Sequence, residues 1–352
     1  MKAKLLYVID NLEFGGGERG FAQLAQALKD RYEIRFACHP GGLLGERLHQ
    51  FGVPIRSLDF HRPVSLSRII RLSAMIRGEG VHLVHSMGAR ADFPARIAAR
   101  LAGAPVIVST IAMFVEGYDV PALVRALYRA GDRLSERFCD GFIAVSDAVR
   151  KVLVEGHRIP EKKVVRIYNG VELEAFRPAG QNGVRLRREL GLDPEAPLVG
   201  TIGRLVYQKA HDVFLQAASL VARAVPNAQF LIVGEGALRP RLERMVEELG
   251  LRSCRFAGFQ ADIPDMLSIM DVFALSSVLE GLPRVLLEAL AMARPVVATS
   301  IDGVLEVAQH GVTGLLVPPG QPAPLADAII LLLKDPALAG RLGKAGRKLV
   351  EE

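Results

Sequence analysis

Cysteine is scarce, long apolar runs are missing, and no cluster of metal-ligating side chains is visible. Each shortage removes a class of protein. The 3 cysteines, Cys38, Cys139 and Cys254, are odd in number, far apart and set in apolar surroundings. They read as reduced core thiols of a cytosolic protein, not as a disulfide framework. No Cys/His grouping has the spacing of a zinc site, so no protein-built metal site is expected. No apolar stretch reaches the roughly 20 residues of a membrane span. The opening residues, MKAKLLYVIDNLEF, carry one short apolar strand and lack a signal-peptide pattern. No internal repeat or low-complexity tract interrupts the chain.

What is present is an ordinary globular balance. The 352 residues suffice for two domains, each with its own core, and are 50% hydrophobic and 23% charged. The net charge of +6 and the pI near 9.3 suit an anionic partner: nucleotide, nucleic acid or acidic lipid.

Hydrophobic patterning divides the chain into two similar halves. Candidate strands at 4–9, 33–38, 82–85, 105–109, 142–145 and 164–167 alternate with helical or loop segments, beginning with a helical pattern over 20–28. A stretch rich in Gly, Pro and Asn, from Tyr168 to Gly183, is the best candidate linker. Strands then resume near 198–203, 229–233, 254–258, 271–275, 295–299 and 314–317. Alternation of this kind gives parallel sheets covered by helices, so two facing Rossmann-like α/β domains with a cleft between them are expected. We place them at 1–175 and 176–352.

The most informative stretch is Ser276 to Pro319, centred on Glu280-Gly281-Leu282-Pro283-Arg284. Pro283 suits the first position of a helix, predicted over 284–293. That helix is nearly all apolar and therefore buried, yet it carries Glu288, whose carboxylate must find donors. The amides of residues 284–286 would point out beside Glu280, where an anion is favoured. Glu288 alone reads equally well as a buried carboxylate paired with an arginine. Together, EGLPRVLLEALAMARPVVAT and GVLEV…HGVTGLLVPPG resemble the signature of the group 1 retaining glycosyltransferases of GT-B fold. The resemblance covers essentially the whole chain.

Other motifs take meaning beside it. Gly203-Arg204-Leu-Val-Tyr-Gln-Lys209 follows a strand, and two cations on one loop can converge on a diphosphate. A solvated basic loop is the plain alternative. The pattern resembles the family's donor-diphosphate motif, departing at Ala210, where the family usually has glycine. Val233-Gly234-Glu235-Gly236 resembles the family's second-domain glycine turn, and Phe256 to Asp262, with Phe259 and Gln260, the loop that cradles the nucleotide base. Simple turns are the alternative for both. In the first half, Gly16 and Gly17 resemble the family's loop near the donor phosphates and acceptor. Gly15-x-Gly17-x-x-Gly20 also matches the dinucleotide fingerprint, though Asp10 to Phe14 intervene after the strand. A nicotinamide-dependent oxidoreductase is therefore one rival, a nucleotide-sugar epimerase on the same fold another, and a non-catalytic donor-binding relative a third. His85 and Arg90 resemble the acceptor side, although a lone histidine ending a strand is often structural. At the position aligned with Ala112, many relatives carry a histidine that contacts the transferred sugar.

From Pro121 to Arg137 the chain reads as an amphipathic helix, with Leu123, Leu127, Ala130, Leu134 and Phe138 on one face. Arg125, Arg129, Arg133 and Arg137 form an adjoining face that is either simply solvated or a dock for an anionic membrane surface. His61, Arg62, Arg68, Arg71 and Arg77 add further basic positions.

The resemblance implies a metal-independent hexosyltransferase in envelope polysaccharide or lipopolysaccharide synthesis. It would move a sugar from a nucleoside diphosphate sugar, needing no cofactor, to a hydroxyl of a glycan or lipid-linked acceptor, with retention. It further implies donor contacts at Gly16, Gly17, Arg204, Lys209, Gly234, Phe259, Gln260, Glu280, Pro283, Arg284, Val285 and Glu288. Among these, Arg204, Lys209 and Glu280 would take part in catalysis. Nucleic acid is not expected as a partner, and the expected location is cytoplasmic, on the inner face of the plasma membrane. Family members usually finish with a helix crossing back to the first domain, and this chain is expected to stop before it.

Overall fold

The apolar runs pair in parallel into two separate sheets. The computed structural model describes residues 2–10, 15–60, 65–114, 121–177 and 183–352. Residues Met1–Asn169 and Gly170–Glu352 form two units, divided inside the stretch read as a linker.

The first unit holds β1 (Ala3–Ile9), β2 (Tyr32–Cys38), β3 (Ile55–Ser57), β4 (Leu83–Met87), β5 (Val106–Ile111), β6 (Gly141–Ala144) and β7 (Val164–Arg166). Their order across the sheet is β3-β2-β1-β4-β5-β6-β7, with every pair parallel. The second unit holds β8 (Leu198–Ile202), β9 (Gln229–Val233), β10 (Cys254–Gly258), β11 (Val272–Leu275), β12 (Val296–Thr299) and β13 (Leu315–Val317), in the order β10-β9-β8-β11-β12-β13. This is the doubly wound α/β arrangement expected. Buried central strands such as β8 and β11 explain the apolar runs, because helices cover both faces of the sheet.

In each unit the winding direction reverses once, between β1 and β4 and between β8 and β11. At such a switch point the connections leave to opposite sides and open a crevice at the C-terminal strand ends. The fold therefore names in advance where a ligand belongs.

Three local differences from the sequence reading have physical reasons. Strand β3 was not anticipated, since three residues, two of them exposed, give no periodic signal. The first helix spans Gly16–Leu28 and begins earlier than the apolar pattern. Its start is closed by one half of a capping box, in which the Glu18 carboxylate accepts from the Gly15 amide at 2.9 Å. The helix after the EGLP turn spans Arg284–Ala291, and Pro283 caps it with extended backbone (ψ 105°) instead of opening it.

Candidate active site

The switch point of the second unit brings together the motifs that sequence alone held apart. Strand β8 ends at Ile202 and delivers Gly203 and Arg204; the neighbouring β11 ends at Leu275 and delivers Ser276, Ser277 and Glu280. Lys209 Nζ donates to Glu280 Oε1, an ion pair whose side chains keep 16% and 6% of their exposure. Ser277 Oγ donates to the same oxygen at 2.7 Å. Below them Ser276 Oγ lies 2.9 Å from both the Lys209 and Ala210 carbonyls, and the Val278 amide donates to the Gln208 carbonyl at 2.8 Å. The two loops thus form one hydrogen-bonded unit. Arg204 stands exposed at the strand end.

Glycines allow this density. Gly234 has φ 139°, and a Cβ there would lie 2.0 Å from the Gly203 carbonyl oxygen. Gly236 likewise presses on the Leu205 carbonyl. The Gly234 amide donates to the Gly258 carbonyl at 2.8 Å, which draws in the loop carrying Phe259 and Gln260. Phe259 exposes its ring, while Gln260 Nε2 donates back to the Ala257 carbonyl at 2.8 Å. Ala210, the departure from the family pattern, occupies the left-handed region (φ 46°, ψ 49°), the conformation that favours glycine.

On the other side of the turn, Gly281, Leu282 and Pro283 are buried and Arg284 and Val285 partly so. The Leu286 amide, expected among the outward-pointing ones, instead donates to the Pro283 carbonyl at 3.1 Å. Glu288 is 2% exposed on the buried helix that follows.

In the first unit, Gly16 and Gly17 lie in the first turn of the Gly16–Leu28 helix, beside the β1/β4 switch. A Cβ on Gly17 would come within 2.8 Å of the Met87 methyl group at the end of β4. Asn11 to Phe14 lie outside the described residues. Arg90 approaches Asp10 at 3.6 Å. His85 sits within β4, not at its end: it is buried between Tyr7 and Phe21, with Nε2 2.7 Å from Thr110 Oγ1. Burial pulls its pKa down to about 4, so the ring is neutral near pH 7. Ala112 follows the end of β5 and packs on the same core.

Two family models match, end to end: Glycosyl transferases group 1 over residues 184–349 and Glycosyltransferase Family 4 over residues 14–175. The chain is a group 1 glycosyltransferase. Among its relatives is an Escherichia coli UDP-Gal:alpha-D-GlcNAc-diphosphoundecaprenol alpha-1,3-galactosyltransferase, 26% identical over 317 residues, covering 88% of this chain and 82% of that protein. A Mycobacterium tuberculosis GDP-mannose-dependent alpha-(1-6)-phosphatidylinositol monomannoside mannosyltransferase is 33% identical over 265 residues, covering 72% and 66%. The crystal structure of Anabaena HepE in complex with UDP and glucose superposes with a TM-score of 0.87 at 23% identity, covering 99% of this chain and 95% of that one. The two-domain GT-B fold follows from that likeness, and an oxidoreductase reading of Gly15–Gly20 is not favoured.

Sequence reasoning on the transferase missed several residues that build the site. In the sequence Ser276 only opens the informative stretch after the 271–275 strand, and nothing marks Ser277. Thr299, at the end of β12, donates from Oγ1 to the Ser277 carbonyl at 2.5 Å. Gly303 lies so close to the EGLP turn that a Cβ would stand 2.4 Å from the Gly281 carbonyl oxygen. His211, just after Ala210, is fully enclosed, and neither ring nitrogen has a hydrogen-bond partner among the described residues. Burial, and then the Lys209 charge, press its pKa down to about 3. The only hint in the sequence was that these small or polar residues follow strand ends.

Proposed function

We propose that this glycosyltransferase takes a nucleoside diphosphate sugar at the second unit's switch point. It transfers the hexose to a hydroxyl of a glycan or lipid-linked acceptor in envelope polysaccharide or lipopolysaccharide synthesis. The observation that carries the reading is the Lys209–Glu280 pair, which joins the Arg204 loop to the EGLP turn at one crevice. A diphosphate entering there meets Arg204, Lys209 and the start of the Arg284–Ala291 helix. All three favour negative charge, and all are in place before the bond breaks.

In this mechanism the acceptor hydroxyl attacks the anomeric carbon as the diphosphate leaves. The bond from that carbon to the phosphate oxygen breaks, and Arg204 and Lys209 hold the charge that collects on the departing oxygen, without a metal. Configuration is retained by attack on the face the leaving group vacates, the leaving phosphate taking the hydroxyl proton. Glu280 faces the donor sugar and steadies the positive charge developing in the ring, while Glu288 accepts from the ribose hydroxyls. Gly234 lets the loop come close to the donor, and Phe259 and Gln260 border the base. Gly16 and Gly17 would contact the donor, as the resemblance implies, and Arg90 belongs to the acceptor side. The enzyme works in the cytoplasm at the inner face of the plasma membrane, where a lipid-linked acceptor would be presented.

The test is a thermal-shift panel of UDP-, GDP-, ADP- and CMP-sugars on the wild type, Arg204→Ala and Glu288→Gln. A donor at 100 times its Kd adds about 2.7 kcal/mol of stability. One nucleotide should shift the wild type and neither variant. A shift with NAD(H) alone would overturn the reading.

A further inference from the structure

His211 is a buried polar side chain that the free protein leaves unused. It opens the His211–Ala224 helix directly after the left-handed Ala210 and is 2% exposed. Neither ring nitrogen has a hydrogen-bond partner among the described residues. A buried polar group in that state is destabilising. An aliphatic residue of similar volume would fill the same space without the penalty, so packing alone does not account for a histidine here.

The groups around the ring narrow down what completes it. The Gln208 carbonyl accepts from the Val278 amide, and the Lys209 and Ala210 carbonyls both accept from Ser276 Oγ. The loop backbone leading to the ring is thereby held in place. The Ser277 hydroxyl donates to Glu280. Burial, and then the Lys209 charge, keep the ring neutral near pH 7, so one nitrogen carries a hydrogen and the other an open lone pair. The group with hydrogens left over is the Lys209 ammonium, two residues away and close enough for its charge to act on the ring. It carries three N–H donors and places one of them on Glu280. Its stem packs along Gly203, where a Cβ would meet Lys209 Cε at 3.3 Å, which leaves the ammonium to be aimed by its partners.

Donor binding supplies the event that engages the ring. A diphosphate in this crevice competes with Glu280 for the Lys209 ammonium, and turning that group offers a hydrogen to a further acceptor. We propose that His211 is a positioning residue for the donor: its unprotonated ring nitrogen accepts from the Lys209 ammonium once a diphosphate draws that ammonium from Glu280. Neutrality suits the role, because an imidazolium would repel the cation it has to hold. The free protein gives up some stability, and in return Lys209 is held on the diphosphate while charge collects there. The inference rests on the donor reading of the crevice and adds to it a residue that acts through Lys209.

The test titrates UDP, GDP, ADP and inorganic diphosphate into the full chain carrying histidine isotope-labelled at its ring nitrogens. The His211 resonances are assigned by their loss in His211→Leu. A probe that raises the wild-type melting temperature should also shift the acceptor nitrogen of His211. His211→Leu should melt at or above the wild-type temperature yet bind that probe roughly tenfold more weakly, for one lost charge-assisted hydrogen bond. Either His211→Asn or His211→Gln, whose amide oxygens stand near the Nδ1 and Nε2 positions, should restore the affinity. In a Lys209→Met background His211→Leu should cause no further loss, because its partner is already gone. Probe binding with an unmoved His211 ring, full affinity in His211→Leu, or an equal loss in the Lys209→Met background would overturn the inference and leave the donor reading standing. A His211→Leu protein that melts far below the wild type would make the ring an ordinary part of the core and overturn it too. A wild type that binds none of the probes would refute the donor reading, and this inference with it.

Discussion

Replacing Lys209 by methionine keeps the aliphatic stem and removes the ammonium, which isolates what the charge does. The Glu280 side chain is 6% exposed and would keep Ser277 as a donor while losing its counter-ion. Breaking a fully buried pair costs about 3–5 kcal/mol. Lys209 retains some solvent, at 16% exposure, so about 2–3 kcal/mol is expected for Lys209→Met. For a unit of this size that lowers the melting temperature by roughly 5–10 °C. Donor binding loses a charge-assisted hydrogen bond of about 1.5–3 kcal/mol, which weakens Kd roughly 10- to 150-fold. The companion variant Lys209→Met/Glu280→Gln separates the two effects, because a neutral amide no longer needs the ammonium. Most of the stability should return while donor affinity stays low. Calorimetric melting and titration with the selected nucleotide sugar read both quantities. Unchanged stability in the single variant, or recovered affinity in the double one, would refute the reasoning.

Three further outcomes follow from the loops around that pair. Gly234→Ala drives a Cβ into the Gly203 carbonyl and should cost more than about 2 kcal/mol and weaken donor binding, whereas Gly320→Ala, also at positive φ but with open space, should cost about 1 kcal/mol and leave binding alone; chemical denaturation compares them. Ala210→Gly relieves a left-handed alanine and should raise stability by up to about 1 kcal/mol, partly offset by unfolded-state entropy, with donor affinity retained. His211 has a folded pKa near 3 against an ordinary 6.5, so the unfolded chain takes up a proton first as pH falls. Its contribution is intact above pH 6.5 and is lost at up to about 1.4 kcal/mol per pH unit down toward pH 3. Urea midpoints of His211→Gln should therefore fall less steeply than those of the wild type between pH 6.5 and 4, and parallel curves would contradict this.

Much of the fold was legible because a parallel strand buried on both faces must be apolar throughout. Strands β9 and β10 coincide with the runs read for them, and most others agree to within a residue or two at each end. Strand β3 escaped because an edge strand of three residues needs no apolar run. In the site, Glu280, Arg204 and Lys209 could be singled out because charged residues at strand ends stand out against apolar surroundings. Thr299 and Gly303 could not, since each acts through a neighbour distant in sequence: Thr299 holds the Ser277 carbonyl, and Gly303 makes room for the EGLP turn. Ser277 and His211 could not either, since a lone serine or histidine after a strand carries no pattern of its own.

The Ala122–Glu136 helix marks the boundary most clearly. Its amphipathic period was plain in the sequence, and periodicity alone would have turned the leucines inward. Which face meets the core depends on what the core offers, and here it offers Arg96, fully buried and in need of Asp132 and Ser135. An unpaired buried guanidinium costs more than three exposed leucines, so the helix turns its polar side in. Sequence by itself determined that there are two doubly wound halves and which residues carry the charge. Only the tertiary structure decided which charges meet and which apolar face stays outside, because both depend on contacts between segments the chain order keeps apart.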